Sequence, residues 1–217
     1  MFPKSSRLLL ALGLVALTLV LASSVAAQVV ASDAYQVAYF SQGGFGNFVN
    51  IINTGQVGSP IDRATNSGTV CADIYAFDAN QEMVSCCSCP ITANGLLRRE
   101  VLVDLTDSGL VLTAFPVTTG VIKVVADLPA GACNPTQITS PVNGALRAFM
   151  LNGQGFATVI QTPGGPILAI GPGPSTETQF QPAPLTQTEQ AFLANACSFV
   201  LYLGSGRGLC RCPAFFD

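Results

Sequence analysis

The chain has 217 residues, with nine basic and twelve acidic side chains and neither histidine nor tryptophan. The missing histidine excludes Ser-His-Asp triads, Cys-His pairs and every histidine-ligated metal centre. Charged residues make up 10% of the chain, against about 25% in an ordinary soluble domain; so few basic groups cannot neutralise a row of phosphates, and no nucleic-acid partner is expected.

The first charges are Lys4 and Arg7, and none follows before Asp33. Between them lies an apolar run from Leu8 to Ala22, then the small residues Ser23, Ser24, Val25, Ala26 and Ala27. A basic start, an apolar middle and a small-residue end predict a secretory signal peptide over residues 1–27, cut before Gln28. A retained N-terminal anchor is the alternative, but the run of about 15 residues is short of the roughly 20 that a spanning helix needs. Without residues 1–27, seven basic residues face twelve acidic ones, a net charge of −5. No later segment is long enough to span a bilayer, because Thr113, Pro116 and Lys123 interrupt the apolar runs around them.

Residues 28–217 are expected to form a single β-rich domain. Short β-type runs succeed one another at Ala34–Phe40, Phe45–Asn53, Thr69–Phe77, Arg99–Leu105, Leu110–Phe115, Val121–Asp127, Ala145–Leu151 and Phe156–Gln161. About eight strands at this spacing predict an antiparallel β-sandwich or barrel. Ile167–Ile170 is a short apolar piece inside residues 163–184, a Pro/Gly/Thr-rich stretch that reads as a long loop or linker. Residues 185–217 read as a helix and a cysteine-containing tail. Thr186 and Glu189 form a capping box, and Phe192, Leu193, Ala196 and Cys197 follow at helical spacing, so a C-terminal helix is expected over Gln187–Cys197. Phe199–Leu203 is then a strand, and Gly204–Gly208 a loop without the Lys-Ser/Thr ending of a phosphate loop.

Eight cysteines follow the export signal: Cys71, Cys86, Cys87, Cys89, Cys133, Cys197, Cys210 and Cys212. An even count in an oxidising compartment reads as a disulfide framework. Near neighbours bridge poorly, so the Cys86–Cys89 and Cys210/Cys212 clusters should bond outwards. The expected partners are Cys71 with Cys86 or Cys87, and Cys197 with Cys210 or Cys212. Cys86 and Cys89 also form a C-x-x-C, but Pro90 and a loop-like run follow where a redox motif would open a helix. Thiol-redox and metal roles are therefore secondary to structural disulfides.

Other chemistry is thin. Asp78, Asn80 and Glu82 place oxygens at alternate positions, as a calcium loop begins, but lack its glycine and distal glutamate; a hairpin turn is the plainer reading. Asp104 and Asp107 read as a polar strand end, and Asn134-Pro135-Thr136 fails as a glycosylation sequon. No nucleophile–base pair emerges, so neither catalytic residues nor a cofactor is assigned.

The run Cys71-Ala-Asp-Ile-Tyr-Ala-Phe-Asp-Ala-Asn-Gln-Glu-Met83, with Cys86-Cys-Ser-Cys-Pro-Ile-Thr-Ala-Asn-Gly-Leu96 and the ending Cys197-Ser-Phe-Val through Gly204-Ser-Gly-Arg-Gly-Leu-Cys210, resembles exported, uncharacterised cysteine-containing β proteins of acidobacterial type. The resemblance implies export and disulfides and no mechanism. The leading expectation is a secreted structural or cell-surface protein. Its sharper form is self-assembly through strand addition by Gln28–Phe40, with this chain as its own partner. An extracellular glycan- or peptide-binding module is the alternative, and a thiol-redox or metal-binding protein the second.

Overall fold

A computed structural model of the chain describes residues 33–41, 44–57, 68–106, 117–128, 131–203, 209, 210 and 212. The expected signal peptide, the Leu110–Phe115 strand and the Gly204–Gly208 loop lie outside them. The described elements are mainly β. They run β1 (Tyr35–Ser41), β2 (Gly44–Asn53), β3 (Val70–Asp78), β4 (Met83–Ile91), β5 (Leu96–Glu100), β6 (Thr119–Asp127), β7 (Leu146–Thr162), β8 (Gly165–Gln179), β9 (Gln181–Pro182) and the helix α1 (Gln187–Leu203). That is nine strands among the described residues, more than the expected eight or so.

The strands form two antiparallel sheets, ordered β4-β3-β6-β1-β9 and β5-β2-β7-β8. Period-two alternation decides what each face meets. From the first sheet, Phe40, Val70, Ala72, Ile74, Ile122 and Val124 point at the second; Val49, Ile51, Leu146, Ala148 and Met150 answer from it. The opposite face of the first sheet carries Tyr35, Tyr75, Phe77, Cys86 and Val125, which pack with Ile138, Leu193 and Cys197 into a second apolar layer under α1. The first sheet is therefore covered on both faces, which is why β3 is buried along almost its whole length.

Gln36 on β1 joins the sheets directly. It is buried, its Nε2 donates to Leu146 O at 2.9 Å, and its Oε1 accepts from Ala148 N at 3.1 Å.

Four expectations need correcting. Arg99–Leu105 is not a strand. β5 ends at Glu100, and Val101–Thr106 makes a π-helical turn with Val101 and Leu105 buried. Spacing of four suits a helical turn as well as alternation does, and Asp104 Oδ2 accepts from Glu100 N at 2.9 Å to hold it. The cysteine cluster and Pro90 lie on a strand, β4, not in a loop. Residues 163–184 are not a linker: they supply β8 and β9, and Ala145–Leu151 and Phe156–Gln161 fuse into one long β7. Finally, α1 runs on through Phe199–Leu203, because Val200 continues the buried face of Leu193 and Cys197.

Candidate functional site

The cysteines are sorted by the pleat of β4. Successive side chains of a strand point to opposite faces. Cys86 faces outward, into the layer beneath α1, while Cys87 and Cys89 face the sandwich core. Cys86 therefore bonds Cys197 on the helix, with 5.8 Å between Cα atoms. Cys87 bonds Cys210 and Cys89 bonds Cys212, both in the tail. Cys71 bonds Cys133 in the loop after β6, at a Cα separation of 5.5 Å.

The clusters bond outwards, but both expected pairings fail. Cys71 sits opposite Pro90, whereas Cys86 sits opposite Tyr75, further along the ladder and out of reach. Cys197 turns into the sheet and meets Cys86 before the tail returns. The Sγ atoms of Cys87, Cys89 and Cys212 lie within 4.8 Å of one another, a grouping that these three cysteines, if reduced, could offer to a soft metal. All eight cysteines are disulfide-bonded.

Beside this staple lies a buried polar cluster. Asp73 on β3 accepts from Ser88 Oγ on β4. Asp127, at the end of β6, accepts from the Thr139 amide at 3.1 Å and the Ser140 amide at 2.5 Å, pinning the loop that carries Cys133. Burial pushes Asp73 well above the usual carboxylate range, and the Asp127 charge adds to this against the opposing Ser88 bond. Burial, with the charges of Asp73 and Asp127, also raises the Tyr75 phenol, whose OH donates to Pro135 O at 2.8 Å. Burial thus favours the neutral forms of Asp73 and Tyr75.

The α1 N-terminus docks on the same face. Glu189 N donates to Thr186 Oγ1 at 3.1 Å, one half of the expected capping box. The Glu189 carboxylate turns instead to the sheet, accepting from Lys123 Nζ at 2.6 Å and Tyr35 OH at 2.8 Å. Lys123 lies 4.7 Å from the centre of the Phe77 ring, which stacks on Phe192. Asp78, Asn80 and Glu82 form the β3–β4 hairpin turn. Asp78 Oδ1 accepts from the amides of Asn80 and Glu82, both at 2.9 Å, so this oxygen serves the turn.

The edges of the two sheets differ. The outer edge of β4 is met by the tail, through a parallel bridge of Cys86 to Leu209 and a bond from Cys210 N to Cys86 O at 3.2 Å. β9 is a two-residue edge ending in Pro182. β5 is short and carries Arg98, Arg99 and Glu100. Charge, proline, brevity and cover are the usual protections of a strand edge. The last edge is the β7–β8 hairpin. β2 accompanies β7 only as far as Gln154. Beyond it, Gly155–Thr162 and Pro172–Gly165 pair alone among the described residues, through the Pro163-Gly164 turn, a ribbon about 25 Å long. From Ala148 to Thr176 the sequence has no charge, and Val159, Ile160 and Ile167 are exposed. Sequence reasoning missed this arm, although Pro163-Gly164 between two apolar runs was the available turn signal.

β1, within the segment expected to add to a neighbour, pairs along its length with β6 and at Gln36 and Val37 with β9; Gln28–Ser32 lies outside the described residues. Among the described residues, no helix is long and apolar enough to cross a membrane.

The fold and the staples together define a disulfide-bonded antiparallel β-sandwich with one C-terminal helix laid on its outer face. No family model, curated protein or solved structure matches the chain.

Proposed function

We propose that this chain is an exported structural or cell-surface protein that assembles with copies of itself through strand addition. The observation that carries the reading is the distal arm of the β7–β8 hairpin, an uncharged ribbon over residues 155–172 that runs on beyond the end of β2. Soluble domains do not ordinarily leave such an edge bare. Pairing of all eight cysteines is compatible with an oxidising compartment, and the low charge of the chain fits a surface that is covered in use. Size measurement and electron microscopy of the purified protein test this: a defined oligomer supports the reading, and a monomer at all concentrations rejects it.

A second reading rests on the sulfur grouping of Cys87, Cys89 and Cys212. In it, the tail cysteines with Cys87 and Cys89 bind a soft metal as thiolates. Counting free thiols in the native protein separates the two. Zero thiols supports the staples; four thiols with bound zinc supports the metal.

A further inference from the structure

We propose that the free edge of β7, Gly155–Thr162, pairs antiparallel with the same segment of a second copy of this chain. The pairing runs about a two-fold axis and joins two hairpins into one four-stranded sheet. This rests on the self-assembly reading above and names the edge that would perform it.

The prolines choose the edge. Pro166 stands opposite Gln161 and Pro172 opposite Gly155. The two prolines are an even number of residues apart, so their nitrogens face the same side of β8. Proline lacks an N–H and is tolerated in a ladder with its nitrogen turned to the open side. The outer edge of β8 is thus without donors at both positions, and a further strand cannot pair along it.

The same register fixes the other edge. If Pro166 and Pro172 face away from β7, then Gln161 and Gly155 opposite them also turn their N–H and C=O groups away from β8. By alternation, so do Ala157 and Val159. Among the described residues these four form an open ladder edge with no proline and no charge.

The occupant follows from symmetry and charge. An antiparallel strand paired with its own copy is self-complementary, residue for residue. The register that uses all four outward residues sets Gly155 against Gln161 and Ala157 against Val159. The chain is acidic overall, so most contacts between copies would bring like charges together; the uncharged arm does not. Val159 and Ile160 are exposed and adjacent in sequence, so they point to opposite faces of the ribbon. A four-stranded sheet covers apolar surface on both. Because the β8 edge is blocked, the assembly closes at two copies and does not grow into a filament.

The test is the oligomeric state of the full mature chain by light scattering and sedimentation. Wild type should be a dimer. Val159→Pro removes an outward donor without touching the β7–β8 ladder, and should give a folded monomer whose melting temperature no longer rises with protein concentration as that of the dimer does. Val159→Lys keeps the backbone donor but sets charges across the axis; it should weaken the dimer at least tenfold, with partial recovery at high salt. If Val159→Pro fails to fold, Val159→Lys decides alone. A wild-type monomer overturns both this inference and the self-assembly reading. An oligomer indifferent to Val159→Lys overturns this edge while leaving self-assembly standing, as would filaments.

Discussion

Cys86 on β4 and Cys197 on α1 are bridged across a sequence separation of 111 residues, and both are fully buried. The bond fastens the middle of the helix to an edge strand whose tail partner begins at the same residue. Replacing both by alanine should cost about 2–4 kcal/mol. The loss should concentrate in α1. Thermal unfolding and amide exchange would check this, with α1 amides exchanging first. Peptide mapping without reduction should return Cys71–Cys133, Cys86–Cys197, Cys87–Cys210 and Cys89–Cys212.

Asp73 makes stability depend on pH. Its folded-state pKa lies well above the ordinary 3.8, because burial and the Asp127 charge oppose ionisation. Above the ordinary value, the unfolded chain releases a proton that the folded chain keeps. Stability therefore falls as pH rises through that window. Asp73→Asn removes the titration. It should raise the melting temperature at about pH 8 and change it little at about pH 3, where both states are protonated. A constant offset at all pH values would show that the carboxyl acts by packing alone.

Gln36 bonds Leu146 O and Ala148 N across the two sheets. Gln36→Leu keeps the volume and orphans both backbone groups in the core. The expected cost is about 2–3 kcal/mol, read as a lower urea midpoint at unchanged slope.

Glu189 holds the start of α1 to Lys123 and Tyr35. Lys123 and Glu189 are partly exposed, at 20% and 27%, which weakens the ion pair. Glu189→Gln should cost about 1 kcal/mol and should lose its effect at high salt. Equal losses at low and high salt would place the contribution in packing.

Gly120 on β6 lies where Phe77 O and the Phe40 ring close in; a Cβ there would overlap the carbonyl and sit 2.9 Å from the ring. Gly120→Ala should cost about 3 kcal/mol by overpacking, since neither neighbour can withdraw. An unchanged denaturation midpoint would refute this.

Much of the fold is legible in the chain itself. Alternating apolar residues over 34–40, 69–77 and 121–127 point to strands, and β1, β3 and β6 lie there within a residue or two. Thr186 announces the start of α1 because its hydroxyl meets a donor only three residues away, a local event. The misreadings occur where local pattern and distant partner compete. Prolines 163, 166, 172 and 174 resemble a linker, yet β8 forms because β7 is alongside to pair with. Phe199–Leu203 has strand-like composition, yet helix persists because Val200 reaches the same buried layer as Cys197.

The sequence by itself determines the β class, the even set of cysteines and the outward bonding of their clusters. These follow from composition, two-residue periodicity and short-range sterics. Only the tertiary structure decides which cysteine bonds which, and which sheet edge the described residues leave unpaired. Both depend on strand register: one residue along β4 turns a thiol from the helix to the tail. Register comes from contacts between residues far apart in the chain, which no local window contains.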